Sequence, residues 1–138
     1  MEKEKLLYKR NRHSCFELKY HLVVVTKYKN PVLKGALLNR LYEISHSVME
    51  ENWDCHIIEM KAEPDHIHIL FEAKPQTKLS ALVNSYKTVT SRLIRKEFPN
   101  ELKPFFWENL FWSRSYFIGT VSDRIEDAVR QYINNQGG

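Results

Sequence analysis

Glu63-Pro64-Asp65-His66-Ile67-His68-Ile69-Leu70-Phe71 is the stretch that decides how the rest of the chain folds. Its β-branched and aromatic residues favour a strand, in which side chains at i and i+2 leave the same face. His66 and His68 therefore stand side by side, while Ile67, Ile69 and Phe71 point the other way into a core. Trp53 to Lys61 reads as another strand, and the Glu63-Pro64-Asp65 break turns it into the histidine strand as a hairpin. Neutral imidazole is a common ligand of divalent ions, and paired imidazoles make a floor with open positions. The same spacing also occurs as hydrogen-bonded polar residues on half-exposed strands, so on its own the pair carries little.

Upstream, Phe16, Leu18 and Tyr20 alternate before the continuous run Leu22 to Val25, the pattern of a central strand that Asn30-Pro31 ends. Between Leu33 and Glu51, Leu37, Leu38, Leu41, Ile44 and Val48 recur at helical spacing. Downstream, Thr77 is placed to cap a helix that runs to about Phe98, with Leu79, Leu82, Val83, Tyr86, Val89 and Leu93 on one face. Its other face carries Asn84, Lys87, Arg92, Arg95 and Lys96. Leu110 to Ile118 is strand-like, and Ser122 is placed to cap a last helix whose apolar stripe is Ile125, Val129 and Tyr132. The order strand, helix, strand, strand, helix, strand, helix begins with a split βαβ repeat. It predicts an α+β, ferredoxin-like or RRM-like antiparallel sheet with two helices on one face. Leu70 falls on the same side as the histidines, so the second face needs a cover too, and the last helix is the natural one.

A length of 138 residues fits one domain spanning 1–138. Lysine and arginine exceed aspartate and glutamate by 21 to 17, a net +4 that is concentrated in residues 1–34 and 74–96. A basic surface of this kind suits a polyanion, with Arg10 and Arg12 on the N-terminal arm as contributors. Cys15 and Cys55 form neither a disulfide framework nor a zinc pattern. No apolar run reaches the roughly 18 residues of a membrane span, and Met1 to Lys5 lacks the apolar region of a signal peptide, so a cytoplasmic location is expected.

The last helix holds the second half of the chemistry. Tyr132 and Gln136 stand at i, i+4 and project from one helical face. A phenolic oxygen can attack phosphorus, and an amide oxygen can act as a hard ligand. A core tyrosine with a hydrogen-bonded hydroxyl would give the same pattern. The histidine, hydrophobic residue, histidine strand together with the C-terminal Tyr132-Ile133-Asn134-Asn135-Gln136 helix resembles the HUH-type single-tyrosine transposases, which mobilise insertion sequences as single-stranded DNA and include REP-associated relatives. Lys19-Tyr20-His21-Leu22-Val23 and Phe111-Trp112-Ser113-Arg114-Ser115-Tyr116-Phe117-Ile118-Gly119-Thr120 are also similar to that family, and the likeness covers nearly the whole chain.

The resemblance implies that His66 and His68 bind Mg²⁺ or Mn²⁺ with Gln136 as third protein ligand, and that Tyr132 is the nucleophile. It implies cleavage and rejoining of single-stranded DNA at imperfect hairpin ends through a 5′-phosphotyrosine. It also implies a homodimer in which the tyrosine helix can be donated to the other chain's histidine pair, with cis or trans assembly left open. Lys87, Arg92 and Arg95 are the expected backbone contacts. Glu63 and Asp65 are expected to support the metal or a histidine from behind, or to shape the turn. His21, on the first strand, either faces the site or is a core or rim histidine, the second being the simpler reading. There is no Walker-type Gly-rich loop, so no nucleotide cofactor is expected. A non-catalytic RRM-like nucleic-acid binder and a metal-dependent phosphodiesterase that uses water are the alternatives.

Overall fold

The computed structural model describes residues 18–105, 110–121 and 125–136. Strand β1 spans Leu18–Val25 and is followed by a 3-10 turn at Lys27–Lys29. Helix α1, Gly35–His46, starts from Gly35 at φ 62°, a left-handed conformation that suits glycine. It runs on as a π-helical stretch over Ser47–Asn52. The hairpin joins β2, His56–Glu63, to β3, His66–Ala73, through Pro64 and Asp65. Then come α2 at Leu79–Glu97, the short α3 at Pro99–Leu102, β4 at Phe117–Thr120 and α4 at Ile125–Asn135.

The strands lie in the order β2-β3-β1-β4, antiparallel throughout. This is the topology expected from the split βαβ repeat. The sheet's two parities are buried differently. Leu22 and Val24 of β1 join Ile67, Ile69 and Phe71 of β3 beneath α1 and α2, where Leu37, Leu41, Leu82, Val83 and Ile94 close the main core. Tyr86 is fully buried there, and its hydroxyl meets Ser45 Oγ of α1 at 2.8 Å. Val23 and Val25 face the other way, where they pack with Val129 of α4 and the partly buried Phe117, Tyr132 and Ile133. A strand buried on both faces loses its alternation, which is why Leu22 to Val25 is continuously apolar.

Two local expectations are corrected. Thr77 does not cap α2: Lys78 occupies the N-cap without a side-chain cap bond, and Thr77 donates its backbone N–H to Lys74 O in the turn before it. The strand expected over Leu110 to Ile118 is interrupted. Phe117 to Thr120 pair with β1, and upstream, among the described residues, a single bridge between Thr26 and Trp112 continues the pairing. From Val23 to Thr26 is three steps along β1 (26 − 23), but from Trp112 to Phe117 is five (117 − 112), so the surplus residues bulge out of the sheet. The start of the bulge is firmly held. Ser113 N donates to Val25 O at 2.7 Å, the Trp112 indole donates to Thr90 Oγ1 at 2.9 Å, and Phe111 packs edge-on against Trp112. Arg10, Arg12, Cys15 and Ser122 lie outside the described residues. No helix among the described residues is long and apolar enough to cross a membrane.

Candidate active site

In register, His66 faces Val25 and His68 faces Val23 across β1, which puts both imidazoles on the α4 side of the sheet. The two rings are held differently. His66 Nδ1 donates to Asp65 Oδ1 at 2.8 Å, so the hairpin carboxylate fixes the orientation of the ring. His68 Nε2 lies 2.5 Å from His21 Nδ1, with ring centroids 4.7 Å apart. Burial, with help from the neighbouring His21 and His66, pushes His68 from 6.5 down to about 4, so its ring is neutral at pH 7. The contact with His21 places that residue beside the histidine pair, not at the rim. Its parity in β1, which it shares with Val23 and Val25, is the signal in the sequence. Glu63 is exposed at the end of β2, opposite His66 in register.

Between this surface and α4 is a cleft of about 280 Å³, lined by His21, Lys61 and His68 on the sheet and by Val129, Arg130, Ile133 and Asn134 on the helix. Tyr132 and Gln136 are not in that lining. The Tyr132 ring packs against Phe117, with centroids 5.9 Å apart, and its hydroxyl meets Ser115 Oγ at 2.9 Å. Gln136 Oε1 accepts from Ser115 Oγ at 3.0 Å and from Ser113 Oγ at 3.2 Å. Ser115 has one proton and gives it to Gln136, so the Tyr132 hydroxyl donates to Ser115. Burial raises the Tyr132 phenol above its ordinary value, which keeps that proton in place at neutral pH.

Phe117 and His68 both pair with Val23, from opposite sides. The tyrosine and the histidines are therefore separated by β1, across two strand spacings of roughly 5 Å each. Among the described residues, no hydrogen bond joins Tyr132 or Gln136 to His66 or His68, and no group of three or more His, Cys, Asp and Glu side chains is arranged to hold an ion. The donor types still fit a divalent ion: two imidazoles, one held by a carboxylate, and an amide oxygen at the end of α4 on the other side of β1.

The basic helix face divides as well. Lys87 Nζ donates to Ser113 O and Arg114 O, both at 2.8 Å, and lies 5.8 Å from the centre of the Tyr116 ring. Burial lowers its pKa. Arg95 Nε reaches Ser91 Oγ at 3.1 Å, and Arg92 is exposed.

Comparison with known proteins supplies a context for this geometry. Residues 14–136 match the family described as Transposase IS200 like, Y1_Tnp. The chain is 32% identical over 128 residues to the ISDra2 transposase TnpA of Deinococcus radiodurans, covering 93% of this chain and 90% of that protein. It is 28% identical over 125 residues to the transposase for insertion sequence element IS200 of Salmonella typhimurium, covering 90% of this chain and 80% of that one. Among solved structures, a putative transposase from Deinococcus radiodurans R1 superposes with a TM-score of 0.81 at 29% identity, covering 89% of this chain and 93% of the other. A REP-associated tyrosine transposase bound to a REP hairpin shares the fold at a TM-score of 0.55 and 9% identity, covering 87% of this chain and 64% of that one.

Proposed function

This chain belongs to the IS200-like transposase family, and from that premise we propose that it cleaves and rejoins single-stranded DNA at insertion-sequence ends, with Tyr132 as nucleophile. The Tyr132 oxygen attacks the scissile phosphorus, the bond to the 3′-oxygen breaks, and the products are a 5′-phosphotyrosine and a 3′-hydroxyl that takes up the proton. Because the phosphoester count is unchanged, attack by another 3′-hydroxyl reverses the step and joins strands without a nucleotide cofactor.

His66, His68 and Gln136 are the proposed ligands of Mg²⁺ or Mn²⁺. Such an ion supplies Lewis-acid stabilisation of the charge that develops on the phosphate oxygens. Asp65 acts through His66 by holding its ring. The protonated, half-buried phenol of Tyr132 has to leave Ser115 and lose its proton for attack to proceed.

The observation that carries the reading is the pairing of His66 and His68 on the sheet face covered by the helix that bears Tyr132 and Gln136. Since β1 lies between the two halves, we assign the complete site to a homodimer in which α4 of one copy meets the histidines of the other. Hairpin ends are the proposed substrate. Likeness in fold to a transposase bound to a hairpin supports this, as does the cationic stretch 74–96, where Arg92 stands exposed.

Labelled single-stranded hairpin DNA incubated with the protein and Mn²⁺ tests the reading. A covalent adduct on a denaturing gel is expected from the wild type and none from Tyr132→Phe. An adduct that survives that substitution removes Tyr132 from its role, and cleavage without any adduct favours a water nucleophile.

A further inference from the structure

Lys87 reads in the sequence as a phosphate contact, yet in the fold two of its three donors are spent on the backbone of one short segment. The carbonyls it holds belong to Ser113 and Arg114, at the start of the bulge between Trp112 and β4. The hydroxyls of Ser113 and Ser115 bind Tyr132 and Gln136, the residues proposed for the chemistry. A continuous chain of contacts therefore runs from α2 through Lys87 to the bulge, and from its serines to the functional face of α4.

We propose that Lys87 is a positioning residue for the tyrosine helix: with Ser113 and Ser115 it forms a dock that holds Tyr132 and Gln136 on the β4 side of the sheet, apart from the histidine pair. Three features make this a built site. Ser113 is only 5% exposed, so its hydroxyl is committed to a protein partner. The segment before it is anchored by buried Phe111 and Trp112, which fixes the start of the dock. The hydrogen bonds also run in one direction, from Tyr132 to Ser115 to Gln136, with Ser113 as a second donor to the same amide oxygen. Gln136 cannot offer that oxygen elsewhere while both serines hold it. What the dock means for catalysis rests on the roles proposed for Tyr132 and Gln136. Its existence does not.

The test is amide hydrogen exchange of residues 125–135 in the full chain, without DNA or metal. Losing both hydroxyls in Ser113→Ala/Ser115→Ala should speed exchange across α4 by about five- to tenfold, the scale of one or two net hydrogen bonds, and leave β3 unchanged. Ser115→Thr, which keeps the hydroxyl, should restore much of the protection. Lys87→Met should loosen α4 in the same sense, whereas Lys87→Arg, which can still donate to both carbonyls, should not. Unchanged α4 exchange in the double serine variant overturns the dock. If Lys87→Met leaves α4 alone but weakens hairpin binding with a shallower salt dependence, Lys87 is a phosphate contact and the proposal fails. An adduct that persists in Tyr132→Phe, or none from the wild type, bears on the functional reading only and leaves the exchange results standing.

Discussion

The two faces of the sheet differ in how they are held. On one, α1 and α2 close over Leu22, Val24, Ile67, Ile69 and Phe71, all fully buried, and the cohesion is apolar contact. On the other, α4 rests on Val23, Val25 and Phe117 through Val129, Tyr132 and Ile133, and Tyr132 and Gln136 are also hydrogen-bonded to Ser113 and Ser115. A densely packed face keeps its geometry, and a sparsely packed one opens at low cost. His66 and His68 lie on the second face but on a strand whose other side is the dense core, whereas Tyr132, the proposed nucleophile, lies on the helix held by the sparser contacts. Both faces grow from one strand pair, with alternate residues serving each.

If that contrast is right, substitutions on the two faces should differ in size and in kind. Phe71→Ala empties a fully buried site and should cost about 3–5 kcal/mol of global stability in urea unfolding; a loss below about 1 kcal/mol would mean the main face is no better packed than the other. Acid should act through His68. Its folded value of about 4 lies below 6.5, so the unfolded chain binds the additional proton first. Its contribution is complete above pH 6.5 and drains away as pH falls towards about 4. Urea midpoints across that window should therefore fall more steeply in the wild type than in His68→Gln, and equal slopes would contradict a buried neutral imidazole. The smallest effect belongs to Val129→Ala, about 1 kcal/mol, which should appear as faster exchange in α4 with little change in the global midpoint. A global loss as large as that of Phe71→Ala would erase the distinction between the faces.

Much of this architecture can be read in the sequence because each piece has its own period. Alternation in His66 to Phe71 fixes which side the imidazoles take, and the unbroken Leu22 to Val25 run marks a strand covered on both faces. The i, i+4 spacing places Tyr132 and Gln136 together on α4 but carries no information about which strand that side of the helix overlies. Contact with Phe117 and the serines settles that, and it depends on a bulge whose surplus residues have no periodic signature. Lys87 escapes for a related reason. A lysine among other cations on a helix reads as a surface charge, and only the return of residues 113–114 beneath it turns its ammonium inward. His21 shares its parity with Val23 and Val25, so its approach to His68 was accessible from pattern alone.

Co-expression of two variants with distinguishable tags puts the assembly across two copies to the most direct test. One variant lacks the imidazoles, His66→Ala/His68→Ala, and the other lacks the phenolic hydroxyl, Tyr132→Phe. Each alone should give no covalent DNA adduct, while the mixed dimer should give one, carried by the chain that keeps Tyr132. A silent mixture under conditions where the wild type forms adduct would contradict the account.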